Sequence, residues 1–133
     1  MIKTIQVKTD RRNQFVDITG EVGKVVSESN IENGFVELFV PHTTAAVTIN
    51  ENADPSVQSD MLNFLEKLIP QNSNFRHSEG NSDSHIKSSL VGPNIRVIIS
   101  DGRLLLGTWQ GIYFCEFDGP RTRKLHIKII ADC

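Results

Sequence analysis

Hydrophobic and polar residues are arranged along the first half of this chain in patterns that predict both strands and a helix. Apolar residues alternate imperfectly with polar ones over residues 2–7, which favours a first strand. Apolar residues then recur at helical spacing within 15–30, so we predict a helix there despite two glycines. The stretches 35–40 and 43–50 predict strands, and the second is rich in β-branched residues.

A second helix is predicted to begin at Pro55. Asp54 is a good N-cap, and proline is tolerated at the first helical position because its N–H would have no partner there. Pro70 ends the helix. The predicted apolar stripe consists of Val57, Met61, Phe64, Leu65 and Leu68. The polar stretch 71–84 that follows lacks apolar periodicity, and its length is typical of a functional loop.

The last third of the chain is predicted to be built of strands. Asp101-Gly102 is a strong hairpin signal, because glycine tolerates the positive φ that such a turn demands. The predicted strands cover residues 95–100, 103–109, 112–117 and 125–129. Antiparallel strands with two or three early helices predict an α+β domain whose sheet folds into a sandwich or a partial barrel.

Composition and charge argue against some classes of protein. The 133 residues predict a single domain, 1–133, and a hydrophobic content of 38% fits a globular protein. A net charge of -2 argues against a general nucleic-acid binder, and no apolar run is long enough to span a membrane. Since no signal-peptide pattern is visible, we expect a cytoplasmic protein with neither nucleic acid nor membrane as its partner.

Three of the four histidines follow a strand or lie in the polar loop, where binding residues are common. They are His42, His77 and His85. Imidazole is a frequent ligand of transition metals, and it is also a good anion donor or general acid. The spacing matches no fixed zinc motif, so both interpretations stay open. His126 alternates with apolar residues on a strand, and we expect it to face solvent.

Polar side chains near these histidines extend the candidate site. Asn50 and Glu51 end the strand that begins beside His42, and the even offset from 42 to 50 predicts side chains on one face. We favour a role for Glu51 in the same candidate site as His42.

Two serines are candidates for phosphate binding. Ser88 and Ser89 follow His85 by three and four residues, which places all three on one face of a short helix. With Arg121 they form a candidate phosphate site, and a helix cap or turn is the alternative role for the serines. The chain contains no CxxC, GxxxxGK[ST] or GxSxG pattern, which argues against a thioredoxin-like site, a P-loop and a hydrolase elbow.

Several of these segments together resemble one known family. The segments are HTTAA at 42–46, NENADP at 50–55, HSEGN at 77–81, HIKSSL at 85–90 and GTWQGI at 107–112. Their order and spacing resemble the YjbQ-like family, also named secondary thiamine-phosphate synthase, over about residues 2–130. The resemblance implies a mixed, largely antiparallel, jelly-roll-like β-sandwich assembled as a homotrimer, with histidines and a metal ion or oxyanion near the subunit boundary.

The residues and the resemblance together predict a histidine-rich pocket for a phosphorylated small molecule. The predicted catalytic residues are His42, Glu51 and Arg121; the predicted substrate-binding residues are Thr43, Asn50, Ser88, Ser89 and Gln110; and the predicted metal ligands are His42, His77 and His85. Histidines suit Zn²⁺ better than Mg²⁺. The implied activity is thiamine-phosphate synthesis from a pyrimidine diphosphate and a thiazole phosphate, with release of pyrophosphate. The alternative is a non-catalytic module that binds a metal or a phosphate ligand.

Overall fold

A computed structural model describes residues 2–133 as two antiparallel sheets and three helices. The strands are β1 (Ile2–Lys8), β2 (Gln14–Asp17), β3 (Gly34–Phe39), β4 (Ala45–Glu51), β5 (Asn94–Ser100), β6 (Arg103–Leu104), β7 (Gln110–Glu116) and β8 (Thr122–Ala131). The helices are α1 (Thr19–Glu28), α2 (Pro55–Leu68) and α3 (Ser82–Val91). The predicted α+β class with largely antiparallel strands is confirmed.

The two sheets pack together in a sandwich-like arrangement. The five-stranded sheet has the order β1-β8-β3-β5-β6, and the three-stranded sheet has the order β2-β7-β4. Their facing apolar side chains form the main core, which includes Val36, Leu38, Val47, Ile112, Phe114, Leu125 and Ile127. Helix α1 joins this core through Val22 and Val26, which are fully buried.

Helices α2 and α3 cover the other face of the three-stranded sheet. A second apolar cluster there joins strand residues to Met61, Leu62 and Leu65 of α2 and Val91 of α3. The strand-side and adjoining residues are Phe15, Ala46, Tyr113, Cys115 and Phe117. Among residues 2–133, the longest helix is too short and too polar to cross a bilayer.

The helix predicted over 15–30 is partly wrong. Residues 14–17 form strand β2, and the helix covers only 19–28. Phe15 pairs with Cys115 in the sheet and packs on Tyr113, with 6.0 Å between the ring centroids. The side chain of Asp17 accepts hydrogen bonds from the N–H and hydroxyl of Thr19, which marks the change from strand to helix.

The hairpin prediction is confirmed, but the strand that follows it is shorter than expected. Asp101 and Gly102 both have positive φ, at 52° and 75°. Strand β6 ends at Leu104 rather than 109, because the chain turns at Gly107, whose carbonyl accepts a hydrogen bond from the N–H of Gln110 at 3.1 Å.

Helix α2 begins as predicted, but its apolar stripe is only partly covered. The carboxylate of Asp54 accepts a hydrogen bond from the N–H of Ser56 at 2.9 Å, as expected of an N-cap. Met61 and Leu65 pack on the sheet, whereas Phe64 and Leu68 remain 63% and 57% exposed. The outer half of the predicted stripe therefore lies on the surface of the chain.

Candidate functional site

The inner face of α3 is polar, although the helix packs against β4. Its buried residues are Asp83, Ser84, Lys87 and Ser88. The apolar residues Ile86 and Leu90 face outward and are exposed. Because few apolar contacts hold the inner face, ion pairs and hydrogen bonds decide where this helix lies on the sheet.

Four charged groups meet beneath α3. The ammonium of Lys87 donates to Asp83 at 2.9 Å and also to Glu66 of α2. The guanidinium of Arg12 donates to both oxygens of Asp83, at 2.9 and 3.0 Å. Burial raises the pKa of Asp83, but the hydrogen bonds from Arg12 and Lys87 together outweigh it and bring the pKa to about 2. Asp83 is therefore ionised and joins α3 to the segment before β2, while Lys87 joins α3 to α2.

Two serine hydroxyls complete the attachment of α3. Ser84 donates to the carbonyl of Phe117 at 2.5 Å, and Ser88 donates to the carbonyl of Thr43 at 2.6 Å. The second bond fixes α3 beside the segment that leads into β4. As a result, His85 on the helix and His42 before the strand line the same cavity.

This cavity has a volume of about 310 Å³. Its lining consists of His42, Thr43, Ala45, His85, Ser88, Ser89 and Pro93. None of these residues is acidic, and two carry imidazole rings, so the lining suits an anion. Five of these seven residues, all but Ala45 and Pro93, were predicted site residues, and the structure brings those five together.

His42 is held as a neutral donor. Its Nε2 accepts a hydrogen bond from the backbone N–H of Lys124 at 2.9 Å, which assigns the ring hydrogen to Nδ1. Burial, and after it the charge of Arg123, lowers the pKa of His42 below its ordinary value. Near neutral pH, Nδ1 therefore offers one N–H to a ligand.

We expect His42 to titrate below pH 6.5, its reference value. Protonation of His42 places a charge in a partly buried site and breaks the hydrogen bond from the backbone N–H of Lys124. As the pH falls, the unfolded state binds this proton first, so the free energy of unfolding declines between pH 6.5 and the folded pKa. Two-dimensional NMR of the imidazole signals, assigned with His42→Ala, measures the midpoint; a midpoint at or above 6.5 contradicts the proposed environment.

A second buried ion pair lies behind His42. The guanidinium of Arg123 donates from Nε to both oxygens of Glu116, at 2.9 and 3.0 Å, and from Nη2 to the hydroxyl of Thr44 at 2.8 Å. The hydroxyl of Thr9 donates to Glu116 at 2.8 Å. Burial raises the pKa of Glu116, and these hydrogen bonds reverse that effect and lower it overall. The pair fixes the strand from which Lys124 reaches His42.

Sequence reasoning missed both buried charge groups, although each left a signal. Arg123 lies two residues before Leu125 and four before Ile127, which places it on the inward face of β8. Asp83 and Lys87 are four residues apart on α3, a spacing that puts opposite charges on one side of a helix. In both cases the signal was a charged residue at a position that is otherwise apolar or buried.

The two candidate serines lie where the sequence predicts, but their hydrogens are already directed at carbonyl oxygens. Ser88 donates to Thr43 and, at 3.2 Å, contacts the carbonyl of His85. Ser89 donates to the same His85 carbonyl at 3.0 Å. Such bonds back to the preceding turn are common for serine in helices. To donate to a phosphate, either hydroxyl must rotate away from its carbonyl.

Arg121 lies close enough to His42 for its charge to lower the pKa of His42 further. Its guanidinium donates to the Asp118 carbonyl at 3.0 Å and to the Asp118 carboxylate at 3.2 Å. The side chain is 51% exposed. Asp118 therefore neutralises part of the positive charge that the sequence analysis assigned to this site.

His77 lies on the other side of His85. The two rings meet edge to face, with 5.5 Å between their centroids, and both line a second cavity of about 600 Å³. Within residues 2–133, no three His, Cys, Asp or Glu side chains are grouped so that they could hold a metal ion. The three-histidine metal site is therefore not formed by the described residues of one chain.

The structure does not bring Glu51, Asn50 and Gln110 to the His42 cavity. In the β4–β7 ladder, Glu51 pairs with Gln110 at one end and Ala45 pairs with Glu116 at the other. At roughly 3.3 Å per residue, about 20 Å separates these ends. An even offset places side chains on one face of a strand, but it does not place them at the same end of it.

Known proteins are similar to this chain over nearly its whole length. The sequence profile described as "UPF0047 protein YjbQ-like" matches residues 3–132. A UPF0047 protein of Methanocaldococcus jannaschii is 58% identical over 99% of this chain and 96% of its own length. UPF0047 protein YugU of Bacillus subtilis is 53% identical over 98% of this chain and 100% of its own length.

A solved structure from Clostridium acetobutylicum has the same fold. It is described as a conserved protein of the YjbQ/UPF0047 family and superposes with a TM-score of 0.95 at 53% identity. The match covers 96% of this chain and 99% of that one. Both the sequence and the arrangement of strands and helices are therefore shared across nearly the whole length.

Proposed function

This chain belongs to the YjbQ-like UPF0047 family, and from that premise we propose that its His42 cavity binds the phosphate of a small molecule. One observation carries the proposal: His42 and His85 face a cavity of about 310 Å³ whose lining contains no acidic residue. The Nδ1–H of His42 is one preset donor. A phosphate ester offers several acceptor oxygens to such groups.

The candidate reaction is thiamine-phosphate synthesis. The ring nitrogen of a thiazole phosphate forms a C–N bond to the methylene carbon of a pyrimidine diphosphate, while the C–O bond to pyrophosphate breaks and pyrophosphate leaves with the electron pair. In this proposal His42, His85 and Arg121 stabilise the negative charge that develops on the leaving group. Glu51, Asn50 and Gln110 have no part in this step within one chain, because they lie at the far end of β4 and β7.

The second candidate function is a binding module without catalysis. The observation that favours it is the pairing of two arginines near the cavity with carboxylates: Arg123 is paired with Glu116, and Arg121 with Asp118. A Zn²⁺ or Mg²⁺ ion remains a proposal for either function. We also propose a cytoplasmic homotrimer, for which the exposed Phe64, Leu68 and Leu90 offer apolar surface.

Titration of the protein with phenyl phosphate tests the proposed binding site. We expect His42→Ala and His85→Ala each to weaken binding by about tenfold or more, since each removes a hydrogen-bond donor to a charged group. His126→Ala is the matched control, because this histidine lies outside the cavity, bonded to Thr4. Circular dichroism verifies that all three variants are folded.

The results separate the two functions. Binding that is lost in the two cavity variants but kept in the control supports a phosphate site. If thiamine phosphate also forms from the two precursors, the site is catalytic; if the wild type binds but never turns over, the binding module is favoured. Wild-type protein that binds neither a phosphate ester nor a divalent metal ion refutes both.

A further inference from the structure

The two cavities beside α3 share one wall, the ring of His85. On one side lies the His42 cavity, and on the other lies a cavity of about 600 Å³ that also includes His77. The lining of this second cavity consists of Asn74, Phe75, Arg76, His77, Ser82, His85 and Ile86. A molecule bound through a phosphate at His42 therefore has open space beyond His85 for the rest of its structure.

Arg76 gives the second cavity a positive charge with no assigned role. Among residues 2–133, no carboxylate lies within salt-bridge distance of Arg76, and its side chain makes no hydrogen bond. In contrast, Arg12, Arg121 and Arg123 each donate to a carboxylate. Arg76 lines the same cavity as the imidazoles of His77 and His85, and none of the lining residues is acidic.

One carboxylate, that of Glu79, lies near the cavity, 3.8 Å from Nε2 of His77. Glu79 is largely exposed and is not part of the cavity lining. Its attraction to His77 is therefore screened by solvent and weak. Arg76 is also exposed, but its guanidinium is always protonated, so it is the permanent positive charge that an incoming anion meets.

The apolar side chains of the same cavity indicate that a ligand has an organic part beside its anionic groups. Phe75 and Ile86 are 40% and 38% exposed, and both line the cavity beside Arg76. Partly exposed apolar side chains at a cavity wall cover organic groups better than they cover free ions. Ile86 also follows His85 on α3, so the helix that places the imidazole places the apolar wall with it.

We propose that Arg76 and His77 form a second anion subsite, so that the ligand of this protein is a small molecule with two anionic groups. One group, a phosphate, lies in the His42 cavity, and the other, a phosphate or a carboxylate, lies at Arg76 with His85 between them. This inference rests on the proposed phosphate site at His42 and specifies its class of ligand.

Calorimetric titration at low ionic strength tests the subsite with three probes: inorganic phosphate, fructose 1,6-bisphosphate and 6-phosphogluconate, the last two being long enough to place an anionic group on each side of His85. We expect the two probes with two anionic groups to bind the wild type about tenfold or more tightly than phosphate, as one added charge-assisted hydrogen bond allows. Arg76→Gln is expected to bring the affinities of the His42 cavity for all three probes within about twofold of one another, while phosphate binding in that cavity stays unchanged. Arg76→Lys keeps the charge and retains most of the preference.

Arg103→Gln is the matched control, because this exposed arginine lies on β6 and outside both cavities. The preference for two anionic groups must survive in it. If phosphate binds but Arg76→Gln leaves the preference unchanged, or if the wild type shows no preference, the second subsite is refuted and the phosphate site stands. If phosphate fails to bind wild type, or binds His42→Ala equally well, both the proposed function and this inference are refuted.

Discussion

Asp83→Asn is expected to destabilise the protein by about 3–5 kcal/mol at pH 7, as is typical when one partner of a buried ion pair is removed. Asparagine keeps the shape of the side chain but removes the charge that pairs with both Arg12 and Lys87. Lys87 is fully buried, so its ammonium is left with Glu66 alone. Urea denaturation followed by circular dichroism measures the change in the free energy of unfolding.

Two further variants make this result specific. Asp60→Asn changes an exposed aspartate on α2 and is expected to shift stability by no more than about 0.5 kcal/mol. The double variant Asp83→Leu with Lys87→Met removes both buried charges and is expected to recover part of the loss. If Asp83→Asn matches the Asp60 control, the four charges beneath α3 do not hold the helix in place.

The pH dependence of the wild type follows from the same carboxylate. The folded pKa of Asp83, about 2, lies below its reference value of 3.8. The stabilisation from its ionised form is complete above pH 3.8 and is lost as the pH falls toward 2. That window corresponds to about 2 kcal/mol. The Asp83→Asn variant lacks this carboxylate. Its free energy of unfolding is therefore expected to fall by about 2 kcal/mol less than that of the wild type as the pH decreases toward 2.

Arg123→Met is expected to cost about 3–5 kcal/mol at pH 7, because Glu116 then stays buried without its cation. The stability that this variant loses relative to the wild type increases as the pH rises. Without Arg123, burial raises the pKa of Glu116 above its value in the unfolded chain. Between these two pKa values the folded variant keeps a proton that the unfolded chain has released, so the free energy of unfolding falls as the pH rises. Denaturation at pH 4 and pH 7 measures this difference, and an equal loss at both values contradicts the argument.

The neighbouring residue gives the matched control. Lys124→Met removes an exposed ammonium but keeps the backbone N–H that bonds to His42, so only a small change in stability is expected. Arg123→Met also removes a charge that lowers the pKa of His42. NMR titration of His42 in this variant is therefore expected to give a higher midpoint than in the wild type, whereas Lys124→Met leaves the midpoint nearly unchanged.

Local chemistry in the sequence was enough to predict much of the fold. The Asp54 cap, the proline at the start of α2 and the Asp101-Gly102 turn each depend on a few adjacent residues, and each is present in the structure. The prediction over 15–30 was wrong at its start because Phe15 pairs with Cys115, a hundred residues away. Helical spacing of apolar residues does not contain that information.

The candidate site was predicted in part for a related reason. His85, Ser88 and Ser89 share a helix face, which a spacing of three or four residues reveals. The meeting of His42 with α3 depends on the Ser88 bond to Thr43 and on Asp83 with its partners, all of which are tertiary contacts. Arg76 was overlooked because a single arginine in a polar loop has no pattern.

The position of β8 has a consequence for how the nascent protein folds. This strand is the last in chain order, yet it lies between β1 and β3 in the five-stranded sheet. Until residues 122–131 leave the ribosome, β1 has no partner and one edge of β3 is open. Unpaired edges of this kind invite contacts with other chains. Completion of the five-stranded sheet therefore waits for the synthesis of residues 122–131, and until then the unpaired edges of β1 and β3 can contact other chains.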